Sequence, residues 1–171
     1  ADIALGFEDG DSDPTTGVTA RRSSSVWELQ VTGKPAHSSQ IFRDDIGFGA
    51  ALELSRILDR WREELSAIPN LTFNPGLIMA GTDLTHDADN TRGTAFGKSN
   101  VIAGSAIATG GLRAISPKQI ELAEKLMREI AADSLAQTSA TLTMRHGYPP
   151  MAPTPQNNQL RQAFSDVSEE L

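Results

Sequence analysis

Four residues of this chain have side chains and settings that suit chemistry: Glu8, His37, Asn100 and Arg113. His37 follows the alternating run Val26-Trp27-Glu28-Leu29-Gln30-Val31, a half-buried strand, and the strand breakers Gly33 and Pro35. That puts its imidazole on a loop between a strand and a long helix, well placed to meet a ligand. Arg113 stands beside Gly110-Gly111, where a ligand can reach it, and its planar fork matches a carboxylate. Asn100 opens the expected strand that Arg113 closes, and Glu8 leaves a strand where it can serve as one ligand of a metal site completed elsewhere. Each has a plainer reading: an exposed loop histidine, a turn former, a solvated charge, an acidic turn.

Other constellations are excluded by spacing. Asp9, Asp11 and Asp13 alternate as in a calcium loop, but Pro14 stands where the sharp turn needs glycine, and Ala20 where a bidentate glutamate belongs. His37, His86 and His146 include no i, i+4 pair, so no self-contained helical zinc site follows; His86 and His146 are expected on the surface. Gly47-Phe48-Gly49 lacks the third glycine of a dinucleotide fingerprint, and no nucleophile elbow or phosphate loop is present.

The elements that must carry these residues are legible in the apolar spacing. Leu54, Ile57, Leu58, Trp61 and Leu65 mark an amphipathic helix of about five turns. Leu71 to Met79 reads as a strand that Asn74-Pro75-Gly76 consigns to an edge or a bulge. Thr82 to Thr91 is a loop or hairpin region, and Gly93–Phe96 and Asn100–Ala114 are expected strands. Ser116-Pro117-Lys118-Gln119 opens a second helix with a capping serine, and Ala140 to Arg145 is a final strand. Tyr148 to Pro155 is a stiff proline-rich linker before a terminal helix starting near Asn157. Ile3 to Phe7 and Gly17 to Arg22 read as short extended pieces. Two helices on one face of a mostly antiparallel sheet is the economical way to bury both stripes, an α+β architecture.

Composition bounds the partners. A net charge of −7 without a Lys/Arg run argues against a nucleic-acid surface, and no apolar run approaches a membrane span. Zero cysteines exclude disulfides, thiolate metal sites and cysteine nucleophiles, and leave the compartment open. The chain starts at Ala1 and stops at Leu171 inside a helical pattern, which reads as a piece of a longer protein.

Taken together, Gly33-Lys34-Pro35-Ala36-His37-Ser38, Gly47-Phe48-Gly49-Ala50, Asn100-Val101-Ile102 and Gly110-Gly111-Leu112-Arg113 before Ser116-Pro117 form an ordered series. The series resembles the lid, or dimerisation, domain of the co-catalytic zinc carboxypeptidase and acylase family. That family includes carboxypeptidase G-type enzymes, succinyl-diaminopimelate desuccinylase and acetylornithine deacetylase. The resemblance implies a ferredoxin-like lid with a four-stranded antiparallel sheet and two helices over residues 16–147. Residues 1–15 and 148–171 would be the crossings from and to a catalytic domain. It implies a homodimer through the region Gly47 to Met79. His37 would donate to the oxyanion in the partner subunit's active site, while Asn100 and Arg113 grip a peptide or N-acyl amino acid substrate, Arg113 holding its free carboxylate. Glu8 would bind one of two zinc ions, whose remaining ligands and catalytic base have no counterparts here, so this piece alone is expected to hold no zinc tightly and to hydrolyse nothing. Where the family often carries Asp, this chain has Gly111, which removes a support for Arg113. Two other classes compete: a small-molecule-binding regulatory module, and a purely structural dimerisation domain.

Overall fold

A computed structural model of the chain describes residues 4–6, 16–89 and 92–169. Strand β1 (Ser25–Gly33) is the middle of the fold, and its side chains alternate as the sequence pattern requires. Trp27, Leu29 and Val31 are buried to within 1% on one face. Strands β2 (Thr72–Gly81), β5 (Ser105–Arg113) and β6 (Thr138–His146) complete a four-stranded sheet in the order β2-β5-β1-β6, antiparallel throughout. A separate hairpin, β3 (Asp83–Asp87) with β4 (Arg92–Phe96), fills the region expected to be a loop or hairpin.

Helices α1 (Gly49–Ser66) and α2 (Pro117–Ala132) cover one face of the sheet. α1 contributes Ala50, Leu54, Ile57, Trp61 and Leu65, one residue per turn or so, to a core shared with Trp27, Leu29, Leu112, Met127 and Leu142. The two indoles meet edge to face at 5.2 Å and 87°, an arrangement that adds about 1 kcal/mol beyond area burial. Neither leaves its N–H unpaired, since Trp27 donates to the Gly111 carbonyl and Trp61 to that of Met127. Ser116 caps α2 as its position suggested, its hydroxyl accepting from the Gln119 N–H at 3.2 Å, with Pro117 in the first turn.

The proline in β2 acts as anticipated. β2 is an edge strand, and its register against β5 shifts between Pro75 and Leu77. Gly110 permits this, because a Cβ there would collide with the Asn74 carbonyl and the Trp27 ring.

One strand is shorter than expected. β5 begins at Ser105, and Asn100 lies in a turn before it. The cause is the crossing of α1 over the end of β1. Gly104 and Ala103 turn their carbonyls to the N–H groups of Gly33 and Ala50, and Ile102 donates to Ala36. Residues 100–104 therefore brace the loop after β1 rather than extend the ladder.

At the other end the proline-rich linker runs beside the segment before β1. Arg21 and Met151 exchange backbone hydrogen bonds, and Ser24 donates to the Tyr148 carbonyl. Helix α3 (Pro155–Glu169) follows, with no buried residue and with Phe164 and Val167 more than half exposed. Of the extended piece expected at Ile3 to Phe7, residues 4–6 are outside any regular element, and the others lie outside the described residues. Among the described residues, no helix is long and apolar enough to cross a membrane.

Candidate functional site

The loop that carries His37 is fixed from three sides. Its chain leaves β1 at Gly33, which lies against the backbone of Gly49 and Ala50 at the start of α1. Gly49 has φ +74° and no room for a Cβ beside Ile102, so the approach demands glycine twice over. The Lys34 ammonium donates to the Asp45 carbonyl at 2.8 Å, which holds the outer side. His37 pairs with Val101 in an isolated antiparallel bridge, and Ser38 donates to the Asn100 carbonyl at 2.9 Å. A 3-10 turn, Ser38–Gln40, begins directly after the histidine, which occupies its N-cap position.

This bracing brings His37 and Asn100 together. Both residues are exposed. The Nδ1 of His37 is engaged by Ser39, at 3.2 Å from the backbone nitrogen and 2.8 Å from the hydroxyl. Among the described residues no hydrogen bond reaches Nε2 of His37 or the amide of Asn100. The backbone thus brings the two residues to one rim of the sheet, although they are 63 residues apart in sequence.

Arg113 stands elsewhere. It ends β5, whose nine residues separate the two rims by about 27 Å. Its guanidinium is exposed, and Nη1 donates to the Tyr148 hydroxyl at 3.0 Å. Tyr148 thus gives Arg113 a partner in a chain that has glycine at position 111. Directly opposite on β2 is Thr72, whose hydroxyl accepts from Arg22 at 3.0 Å, so a second guanidinium reaches the same rim. The tyrosine and Arg22 were not singled out by spacing, because the linker and the pre-β1 segment meet only through the fold.

Glu8 lies outside the described residues, as do Asp9, Asp11 and Asp13. Among the described residues no group of three or more His, Asp or Glu side chains could hold a metal ion.

His86 is not a surface residue. The β3–β4 hairpin folds it over the sheet face opposite the helices, where its side chain is 12% exposed and its Nδ1 lies 3.4 Å from Glu28. A hairpin returning over its own sheet leaves no local sequence signal. His146 is half exposed and joins Ser25 to Glu124, with Nδ1 3.2 Å from the serine hydroxyl and Nε2 3.4 Å from the carboxylate. The trio has the residue types of a hydrolytic triad, but Ser25 is 3% exposed and faces the core, where no substrate carbonyl can approach. It ties β1 and β6 to α2.

Glu53 was also missed. It sits in the apolar stripe of α1 with no exposed surface, and both its oxygens bind Arg56, at 2.7 and 2.8 Å. The hydrogen bonds that Arg56 donates to Glu53 raise the Arg56 pKa above its already high ordinary value, against the opposing effect of burial. Glu53 also accepts from the Leu135 N–H, which anchors the turn after α2.

Known folds of the same kind come from large hydrolases. The chain superposes on a tripeptidase from Staphylococcus aureus subsp. aureus Mu50 with TM-score 0.69 and 17% identity over 94% of this chain and 39% of that one. An amidase of the hydantoinase/carbamoylase family from Burkholderia multivorans gives 0.61 and 21%, over 87% of this chain and 34% of that one. An aminopeptidase from Bacillus cereus ATCC 10987 gives 0.62 and 16%, over 85% and 35%. The chain therefore spans between a third and two-fifths of the length of these enzymes, and the likeness is one of fold. No curated protein matches it in sequence. The family model for the peptidase dimerisation domain (M20 dimer) matches residues 19–139, most of the chain, and the chain belongs to that family.

Proposed function

We propose that this domain is the lid and dimerisation module of a metal-dependent hydrolase that cleaves an amide next to a free carboxylate, and that it contributes side chains to two active sites. The reading rests on one observation: His37 and Asn100 present unpaired donors at one rim, while Arg113 presents its guanidinium at the opposite rim. A single small substrate cannot span that distance. Arg113 would then grip the carboxylate in the site of its own subunit, and His37 with Asn100 would enter the partner's site. There, His37 Nε2–H would donate to the negative charge that develops on the scissile carbonyl oxygen. Zinc, in this reading, is held by segments other than the described residues, and residues 1–15 and 148–171 connect to them.

The self-association surface is assigned to α1 and the free edge of β2, within Gly47 to Met79. β2 and β6 are both sheet edges, and they differ in what they show to solvent. β2 exposes Ile78 at 53%, and α1 exposes Leu52 at 42%, whereas the exposed side chains of β6 include Thr141, Thr143 and Arg145. An apolar edge that meets its own copy about a two-fold axis satisfies the open backbone groups of both.

The test is His37→Ala in the full-length hydrolase. Turnover should fall roughly 100- to 1,000-fold, the effect of removing one oxyanion donor, with metal content unchanged. Normal turnover would reduce the domain to a purely structural dimeriser, and parallel loss of metal and activity would mean a folding defect.

A further inference from the structure

We infer that Ser39 is a positioning residue that dictates which nitrogen of His37 carries the proton. The inference rests on the proposed role of His37 and asks more of it, because an imidazole can donate to an oxyanion from Nε2 only while the proton is on Nε2.

The geometry decides the tautomer. The backbone nitrogen of Ser39 lies 3.2 Å from Nδ1 of His37, and a backbone N–H can only donate. Nδ1 must therefore offer its lone pair, which leaves the single proton of the neutral ring on Nε2. The Ser39 hydroxyl is 2.8 Å from the same Nδ1. Since that nitrogen carries no proton, the hydroxyl too must donate. Two donors from one residue thus converge on one ring nitrogen.

The backbone around the pair makes this arrangement hard to undo. His37 has φ −64° and ψ 138°, the extended geometry of an N-cap, and the turn that follows aims the Ser39 N–H back at the ring. The Gln40 N–H donates to the His37 carbonyl at 2.9 Å and closes the turn. Flipping the ring by half a turn would break both contacts to Ser39 and place a carbon where the lone pair is needed. The histidine does here what serine or aspartate does at most caps, so the turn holds the imidazole by the nitrogen that chemistry does not use.

The readout is the ring itself. Long-range proton–nitrogen correlation spectra of the ¹⁵N-labelled 171-residue chain, recorded where its histidines are neutral, report the tautomer of His37 directly, with His37→Ala assigning the signal. The wild-type ring should be held in the Nε2–H form. Ser39→Ala, which keeps the backbone donor and loses the hydroxyl, should raise the minor Nδ1–H population about fivefold, the effect of one lost neutral hydrogen bond. Ser39→Thr should restore the wild-type pattern. A wild-type ring mainly in the Nδ1–H form, or Ser39→Ala spectra identical to wild type, overturns the inference. The backbone amide spectrum shows whether each variant stays folded. These measurements need no active enzyme, so they stand apart from the His37→Ala kinetics that test the reading beneath them.

Discussion

His37 and Arg113 stand at opposite rims of one antiparallel sheet, joined by β1 and β5, which pair without a break from Ser25↔Leu112 to Thr32↔Ser105. Because that ladder is continuous and one face is sealed by α1 and α2, no hinge within the sheet can bring the two side chains together. Their separation is a fixed property of the domain. Whatever each residue does, it does at a different place.

Subunit complementation follows. In the proposed full-length homodimer, His37→Ala should cut turnover and Arg113→Ala should cut activity at substrate concentrations well below KM, so each variant alone is nearly inactive under those conditions. Mixed dimers of the two would contain one site with both residues intact and one with neither. With random assortment, about a quarter of wild-type activity should return, since half the dimers carry one good site of two. Activity that stays at the level of the separate mutants would show that both residues serve the same site.

The pairing of Arg113 with Tyr148 predicts a split in kinetic parameters. Tyr148→Phe removes the hydrogen bond at Nη1 and leaves the charge, so KM for a carboxylate substrate should rise by about three- to tenfold with kcat little changed. Arg113→Lys should raise KM more than Tyr148→Phe does, because an ammonium cannot replace a fork. A drop in kcat with constant KM would argue that Arg113 acts on the reacting atoms rather than on the carboxylate.

Gly49→Ala tests how the His37 loop is seated. The substitution forces alanine into a left-handed conformation and against Ile102, whose own N–H donates to Ala36 next to the histidine. Unfolding in urea should show a loss of at least about 1–2 kcal/mol. The His37 ring signals should shift in the same variant, and shifts confined to α1 would separate the loop from the helix start.

The sequence made some of this plain and hid the rest for definable reasons. Local signals were faithful: the Ser116 cap, the α1 stripe and the Pro75 bulge each depend on neighbours within a few residues. The early end of the β5 ladder was hidden because Ala103 and Gly104 are claimed by α1 and β1, from more than 50 positions away. His86 misled for the same reason, since only the hairpin's return over Glu28 buries it. The grouping of His37 with Asn100, and the separation of both from Arg113, depends on sheet register, which no single segment encodes. Glu53 shows the limit of periodicity alone: it occupies a core position in α1, and its partners lie partly one turn away and partly beyond α2.

Ile78 offers the direct test of the self-association surface. It lies on the edge strand with half its surface exposed, beside a row of unpaired backbone groups. Ile78→Lys should turn a dimer into a monomer in sedimentation equilibrium without lowering its helical signal, because a lysine on an edge blocks strand pairing and costs little in the monomer. A dimer that survives this change would move the interface off β2.

Glu53→Ala probes a different kind of coupling. The carboxylate is wholly buried, Arg56 keeps about a fifth of its side-chain surface exposed, and the Leu135 N–H depends on the same oxygens. Removing Glu53 strands a half-buried guanidinium and a backbone donor together. The full penalty for an orphaned buried charge is 3–5 kcal/mol, and the partial access of Arg56 to water brings the expected loss to about 2–3 kcal/mol. The sign of any pH effect is also set. Glu53 raises the Arg56 pKa in the folded state, so the stability this group contributes is fully present below its unfolded pKa and fades only as pH climbs through the folded value. Both lie beyond the alkaline range in which the chain would be studied. Denaturation midpoints from pH 7 to 9 should therefore show a constant difference between wild type and variant. A difference that shrinks within that window would mean that the Arg56 guanidinium is not what Glu53 holds.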